Sequence, residues 1–236
     1  MVNAWTMIAG TGAAAMAGLA FIYYAAYGVR SQVFGETIWR GRADINAVAL
    51  TFDDGPSEDT EAILDTLKEY GIKAAFFMVG TQVQRFPEVA RRIVREGHQI
   101  GNHSLTHPIF LYQRPVSTRR EMEDSQKIIS SVTGVTPRIA RPPCGVRTPA
   151  YFAAARRLGL KTVQWSVAGF DWKPLLAPKI AANVLRDVGP GSIILLHDGD
   201  DTLASRRIET ARSLPLIIEG IRSKDLRIVA LDELFN

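Results

Sequence analysis

A single cysteine, Cys144, means that no disulfide can form within the chain, so a fold that relies on covalent staples is excluded. Histidine is scarce as well, with four in 236 residues. Charge of either sign is nearly cancelled: 28 lysines and arginines stand against 24 acids. No dense basic cluster is interleaved with aromatics, which removes nucleic acid from the expected partners. There is no internal repeat, and no low-complexity tract beyond an Ala/Gly-rich N-terminus. Residues 2–29 lack any charged side chain. What remains is a chain with 47% hydrophobic residues, long enough to bury the core of one full domain. The small positive excess suits an anionic surface such as a membrane or cell wall.

The uncharged stretch predicts an N-terminal transmembrane helix within residues 1–29. At about 1.5 Å per residue, its apolar part crosses a hydrocarbon core of about 30 Å. Trp5 near one end and Tyr23, Tyr24 and Tyr27 near the other stand where interfacial aromatics belong. A cleaved signal peptide is the rival reading. It fits less well, because no basic residue precedes the run and no small-x-small site follows it. Residues 30–46 read as a linker and 47–236 as one domain.

From residue 47 onward, short apolar runs alternate with helical patterns. Strands are expected at 47–52, 73–79, 99–101, 138–141, 161–166, 192–196 and 227–231. Helices are expected at 58–70, 86–96, 118–132, 148–158 and 178–188, and in a last stretch to about residue 223 that contains Pro215. Ser57 is a candidate N-cap, and Thr118 with Glu121 a candidate capping box. Such alternation implies a parallel sheet with helices outside. The pattern alone does not separate an open sheet from a barrel.

Polar residues gather where these strands end. Thr51-Phe52-Asp53-Asp54-Gly55 closes the first, and His103-Ser104-Leu105-Thr106-His107 follows the third. Arg141-Pro142-Pro143-Cys144-Gly145, Asp171-Trp172 and Leu195-Leu196-His197 come later. Each segment has an ordinary reading: a turn, a pair of core histidines, a surface ion pair, a structural histidine at a strand end. Together they are the parts of a metal-assisted hydrolase. Histidines four apart face one side of a helical turn, which suits two imidazoles on one cation. Pro108 limits that turn to a loop. Neighbouring carboxylates at a strand end can point different ways, so that one binds a metal while the other takes a proton from water. Nitrogen and oxygen donors suit Zn²⁺, with Co²⁺, Mn²⁺, Ni²⁺ or Fe²⁺ also accommodated. His98 lies outside the pattern and reads as structural.

The five segments, in this order, resemble the signatures of the polysaccharide deacetylases, the NodB-homology group of carbohydrate esterases. The resemblance covers about the last four fifths of the chain. It implies a distorted (β/α) barrel, an α/β fold of about seven parallel strands. It also implies hydrolysis of N-acetyl groups from amino sugars in a glycan. By the same resemblance Asp53 is the general base and Asp54, His103 and His107 are metal ligands. Arg141 stands against the base, and Asp171 orients His197, the general acid. The Cys144 backbone N–H faces the oxyanion, while Trp172 and Leu195 line the acyl pocket. Two departures stand out. The family usually has an aromatic residue where Cys144 stands, and often a further Asp where Ala168 stands.

The resemblance suggests a domain facing the cell envelope, which is the expectation taken here. Arg30, Arg40 and Arg42 follow the apolar helix and by the positive-inside rule favour the opposite side. Three alternatives remain at this point. One is a membrane-side deacylase or deformylase of a lipid-linked amino sugar. The others are a glycan-binding protein without catalysis and a membrane scaffold for a partner protein.

Overall fold

The computed structural model describes residues 4–200 and 207–235, with side chains from Met16 onward. Eight strands are β1 Ala47–Asp53, β2 Ala75–Met78, β3 Gln99–Asn102, β4 Ile139–Ala140, β5 Lys161–Thr162, β6 Val167–Ala168, β7 Ile193–His197 and β8 Arg227–Ile228. All their pairings are parallel. The order is β5-β4-β3-β2-β1-β7-β6, with β8 joined to the start of β1. Helices are α1 Ala4–Tyr27, α2 Thr60–Glu69, α3 Gly80–Arg85, α4 Pro87–Arg95, α5 Pro115–Thr133, α6 Pro149–Arg157, α7 Ala177–Asp187 and α8 Ile208–Arg222.

β1 is the axis of this sheet. All seven of its residues are buried, as expected of a parallel strand covered on both faces. Its period of two sorts them. Val48, Leu50 and Phe52 pack outward against Ile63, Leu64 and Leu67 of α2 and Leu214, Ile217 and Ile218 of α8. Ala47 and Ala49 pack inward with Ala75, Phe77, Ile139, Val163 and Ile193. Thr51 and Asp53 continue the inward row, so alternation alone carries the carboxylate to the C-terminal mouth of the sheet.

The expected parallel α/β fold of about seven strands is found, open as a half-barrel: seven strands follow one another in the sheet and β8 joins β1 beside them. The expected strand at 161–166 forms only at its start, as β5, and a separate strand, β6, follows it at 167–168; the two lie at opposite ends of the strand order. Among the described residues these two share no ladder. The intervening backbone is engaged elsewhere: Gln164 N–H donates to Ile38 O, and the carbonyls of Val163 and Gln164 accept from the Arg141 guanidinium.

Local signals were read with mixed success. Thr148 caps α6, its Oγ1 accepting from Tyr151 N at 3.1 Å. The capping box does not form. α5 begins earlier, at Pro115, and Thr118 is buried inside it. Glu121 instead holds the 103–107 loop, accepting from the backbone N–H of Leu105 and Thr106 and from the Thr106 hydroxyl. Ser57 is not the N-cap of α2 either. Asp59 holds that position, and the Ser57 hydroxyl donates to Asp198 O.

α1 is helical from Ala4 to Tyr27. Among the described residues no helix is long and apolar enough to cross a membrane. The expected anchor at 1–29 lies partly outside the residues whose side chains are described. Residues 31–38 lie on the domain: Ser31 and Thr37 are buried, and Ile38 bridges Val163 in parallel.

The loops after β1 and β7 press together at Gly55 and Gly199. A Cβ on Gly199 would stand 2.3 Å from the Asp54 carbonyl oxygen, whereas one on Gly189 would meet only Arg40, at 3.9 Å. Gly199→Ala is therefore expected to cost about 1–3 kcal/mol and Gly189→Ala less than about 0.5 kcal/mol, read by urea unfolding. Equal losses at the two positions would refute this account of the contact.

Candidate active site

The mouth of the half-barrel holds a cavity of about 440 Å³. Eight of the residues singled out in the sequence line it: Asp53, Asp54, His103, His107, Cys144, Trp172, Leu195 and His197. The other two, Arg141 and Asp171, stand directly behind them.

Backbone strain concentrates here. Of six non-glycine residues with positive φ, five (Asp54, Ser104, His107, Cys144 and Phe170) lie in the segments around the cavity. Non-glycine residues adopt this region at a cost that the surrounding fold must cover. For Asp54 the consequence is direct. The left-handed turn breaks the alternation of β1 and brings two consecutive carboxylates to the same cavity. His103 and His107 do not lie on a helical turn, as their spacing suggested. They sit on a bent loop pinned by Gly80 N–H donating to Ser104 O, by Ser104 Oγ accepting from His107 N, and by Glu121.

Asp53 and Arg141 form a buried pair, with Nη1 to Oδ1 at 2.7 Å. The guanidinium also donates to Thr51 Oγ1 and to the carbonyls of Val163 and Gln164, and lies 4.1 Å from the Phe77 ring centre. Burial lowers the Arg141 pKa, and Asp53 works against that. One oxygen of Asp53 is thus held, while Oδ2 faces His103 Nε2 at 3.8 Å.

Asp54 Oδ1 lies 3.2 Å from Nε2 of His103 and 3.2 Å from Nε2 of His107. It is buried yet makes no directed hydrogen bond. His103 Nδ1 is 2.6 Å from the Arg141 carbonyl oxygen, so Nδ1–H donates there and Nε2 is left as the ligand atom. These three residues offer one donor atom each, all within 4.8 Å of one another. Donors about 2.1 Å from a common tetrahedral ion stand about 3.4 Å apart, so the set fits a divalent ion. Burial would raise the Asp54 pKa, but the His103, His197 and His107 imidazoles outweigh it and hold the carboxyl far below its usual range. Burial would lower His103, but Asp53 and Asp54 raise it.

On the opposite wall His197 Nδ1 contacts Asp171 Oδ1 at 2.8 Å. Asp171 Oδ2 accepts from the His197 backbone N–H and from Thr210 Oγ1. The ring's Nε2 is left for the cavity, with Trp172 edge-on at 5.4 Å. Burial disfavours the imidazolium, but Asp171 and the more distant Asp54 and Asp53 prevail and lift the His197 pKa to about 9. Next in the chain, Asp198 is buried and raised to about 7, chiefly by burial, and its Oδ2 accepts from Thr60 Oγ1.

Gly145, Trp165, Asp200 and Arg207 also line the cavity, and the sequence did not single them out. Arg207 is buried, pairs with Asp200 at 3.0 Å and donates to the Asp171 carbonyl. Its only sequence signal was a basic residue before an apolar helix. Thr210 had none. His98 is structural, as expected. Its Nδ1 accepts from Ala74 N, and burial drives its pKa down to about 4.

The profile of the family described as polysaccharide deacetylase matches residues 40–163. The chain belongs to the polysaccharide deacetylase family. Among curated members, a peptidoglycan-N-acetylglucosamine deacetylase of Bacillus cereus is 38% identical over 190 residues, 80% of this chain and 68% of that one. A chitooligosaccharide deacetylase of Bradyrhizobium is 36% identical over 197 residues, 80% of this chain and 90% of that one. The chain spans 39% of the length of the larger deacetylase PgdA of Listeria monocytogenes. Among solved deacetylases, the Bc1960 peptidoglycan N-acetylglucosamine deacetylase superposes with a TM-score of 0.80 at 35% identity, covering 84% of this chain and 92% of that one. The family also contains a pseudoenzyme, BA3943 of Bacillus anthracis, with a TM-score of 0.76 at 25% identity, covering 85% of this chain and 69% of that one. Membership in the deacetylase family therefore carries the fold, and catalysis has to be argued from the site.

Arg141→Met leaves Asp53 buried without its cation and two carbonyls without donors. A loss of about 3–5 kcal/mol in urea unfolding is expected. A loss below about 1 kcal/mol would show that Arg141 does not bear on the fold.

Proposed function

We propose that the protein is a metal-dependent deacetylase removing N-acetyl groups from amino sugars in a glycan, with Zn²⁺ as its ion. The observation that carries this reading is the opposed placement, across one cavity, of two adjacent carboxylates beside two imidazoles and of an imidazole raised to about 9. Such opposed environments separate a base from an acid. The named substrates of the relatives, peptidoglycan N-acetylglucosamine and chitooligosaccharide, support the substrate class.

Asp54, His103 and His107 would hold the ion. When bound, it supplies the Lewis acidity that makes water nucleophilic near neutral pH and draws charge from the acyl oxygen. Asp53 takes the proton from the attacking water at Oδ2, while Arg141 holds Oδ1 and so keeps the carboxylate turned toward the cavity. Leu195 and Trp172 receive the acyl methyl. The Cys144 backbone N–H donates to the developing oxyanion and needs nothing from the thiol. His197 delivers a proton from Nε2 to the leaving amine, and Asp171 holds it charged and oriented. α1 supplies a single-pass membrane anchor, with the domain on the envelope side.

The test is acetate release from an N-acetylglucosamine oligomer with added Zn²⁺. Asp53→Asn and His103→Ala are each expected to lower kcat by at least about a hundredfold. Zinc stoichiometry should drop only in the histidine variant. Bound metal without turnover by the wild type would exclude simple oligomers and point to a lipid-linked substrate, whereas neither turnover nor bound metal would refute the catalytic reading and favour glycan binding alone.

Asp171→Asn removes the first of the charges that raise His197. The alkaline limb of the kcat profile should then move toward acid by about 1–3 pH units, because His197 acts only while protonated. An unmoved limb would assign that ionisation to another group.

A further inference from the structure

Every described residue of α1 from Met16 to Tyr24 is apolar or aromatic, and every one is exposed. Ala25 and Ala26 are then buried. The helix thus stands off the domain as an apolar rod and joins it abruptly at its last turn. A helix apolar on all sides is covered by lipid or by protein, and no part of this domain covers it.

The joint is built around Arg147, three residues past Cys144. Its side chain is 1% exposed. Its Nη1 and Nη2 donate to the carbonyls of Gly28, Val29 and Ser31, and its backbone N–H donates to Ala26 O. No carboxylate pairs with it among the described residues, so a buried cation is satisfied by the carbonyls at the C-terminal end of α1. Beside this joint, Tyr27 lies near Tyr112 and near Cys144 of the cavity wall. Leu111, beside Tyr112, and Val116, in the first turn of α5, are also exposed. Residues 105–120 contain three arginines, Arg114, Arg119 and Arg120, all exposed, and no acid.

We propose that Arg147 fixes the end of α1 to the rim of the catalytic cavity, and that this rim, with Leu111 and Val116 at its edge, rests on an anionic bilayer surface. The substrate is then a lipid-linked amino sugar glycan presented at the membrane. This rests on the hydrolase reading above and narrows its substrate class. Three features select lipid as the occupant: the rod has no polar face, the cations flank the apolar edge as they would flank acidic headgroups, and the aromatic residues cluster where the rod meets the domain.

The test uses the full chain in vesicles of phosphatidylethanolamine and phosphatidylglycerol. Two substrates are compared: polyprenyl-diphosphate-linked N-acetylglucosamine in the same vesicles, and soluble tetra-N-acetylchitotetraose. The Leu111→Asp/Val116→Asp variant should lower kcat/KM for the lipid-linked substrate by about tenfold or more and change that for the soluble one less than about twofold. Equal changes for both substrates, or none, would overturn the inference. So would wild-type turnover of the soluble substrate only. Turnover of neither substrate would overturn the hydrolase reading itself, and the inference with it. Arg147→Met tests the joint separately: hydrogen exchange at residues 25–31 should accelerate by about tenfold while β1 stays protected. Unchanged exchange there would overturn the docking role. If that variant does not fold, the Leu111/Val116 comparison decides alone.

Discussion

The guanidinium of Arg141 is the group on which both the architecture and the chemistry depend. It reaches from the end of β4 to Thr51 and Asp53 on β1 and to the two carbonyls that separate β5 from β6. The sheet is open along that seam, and the side chain occupies it. A buried cation is tolerable only with near-complete hydrogen bonding and a counter-charge. Here the counter-charge is the catalytic base. The condition that lets Arg141 be buried therefore also holds Asp53 in place at the cavity. Folding and catalysis share one ion pair and cannot be tuned apart.

A second constraint comes from the crowding of charge at the mouth. Asp53, Asp54, Asp171, Asp198 and Asp200 converge within a few strand ends, against Arg141, Arg207 and three histidines. Like charges this close cannot all ionise in a buried site without partners. The fold divides them: Arg141 takes Asp53, the imidazole pair takes Asp54, His197 takes Asp171 and Arg207 takes Asp200. Asp198 is left with Thr60, and it is the carboxyl whose pKa rises. The existence of a pseudoenzyme on this fold shows that the scaffold persists without catalysis. In the present chain each member of the constellation has its partner.

Much of this was legible in the sequence because the chemistry sits at the ends of strands, where a local pattern marks the element and a short polar motif marks its terminus. Asp53, Asp54, His103, His107 and His197 were found in that way. Arg207 and Thr210 were not. They act on Asp171 from across the fold, and the local sequence holds no trace of a partner 36 or 39 positions away. The misread capping box has a similar cause. Glu121 has the right spacing from Thr118, but two backbone N–H groups of the histidine loop compete for it and win. β6 was hidden because it is only two residues long, Val167–Ala168, and only tertiary hydrogen bonds reveal that the chain crosses to the other end of the sheet after β5.

The contact between His103 Nδ1 and the carbonyl of Arg141 has a bearing on how the site tolerates mutation. The tautomer of the imidazole is dictated by a main-chain atom. Every amino acid at position 141 carries that same oxygen, so the inheritance of ligand orientation does not pass through the identity of the residue. A lineage could lose the arginine, and with it the base, while the neighbouring imidazole kept its aim. Decay of activity in such a chain would proceed one function at a time, leaving a cation-binding relic on a scaffold weakened by the loss of the guanidinium.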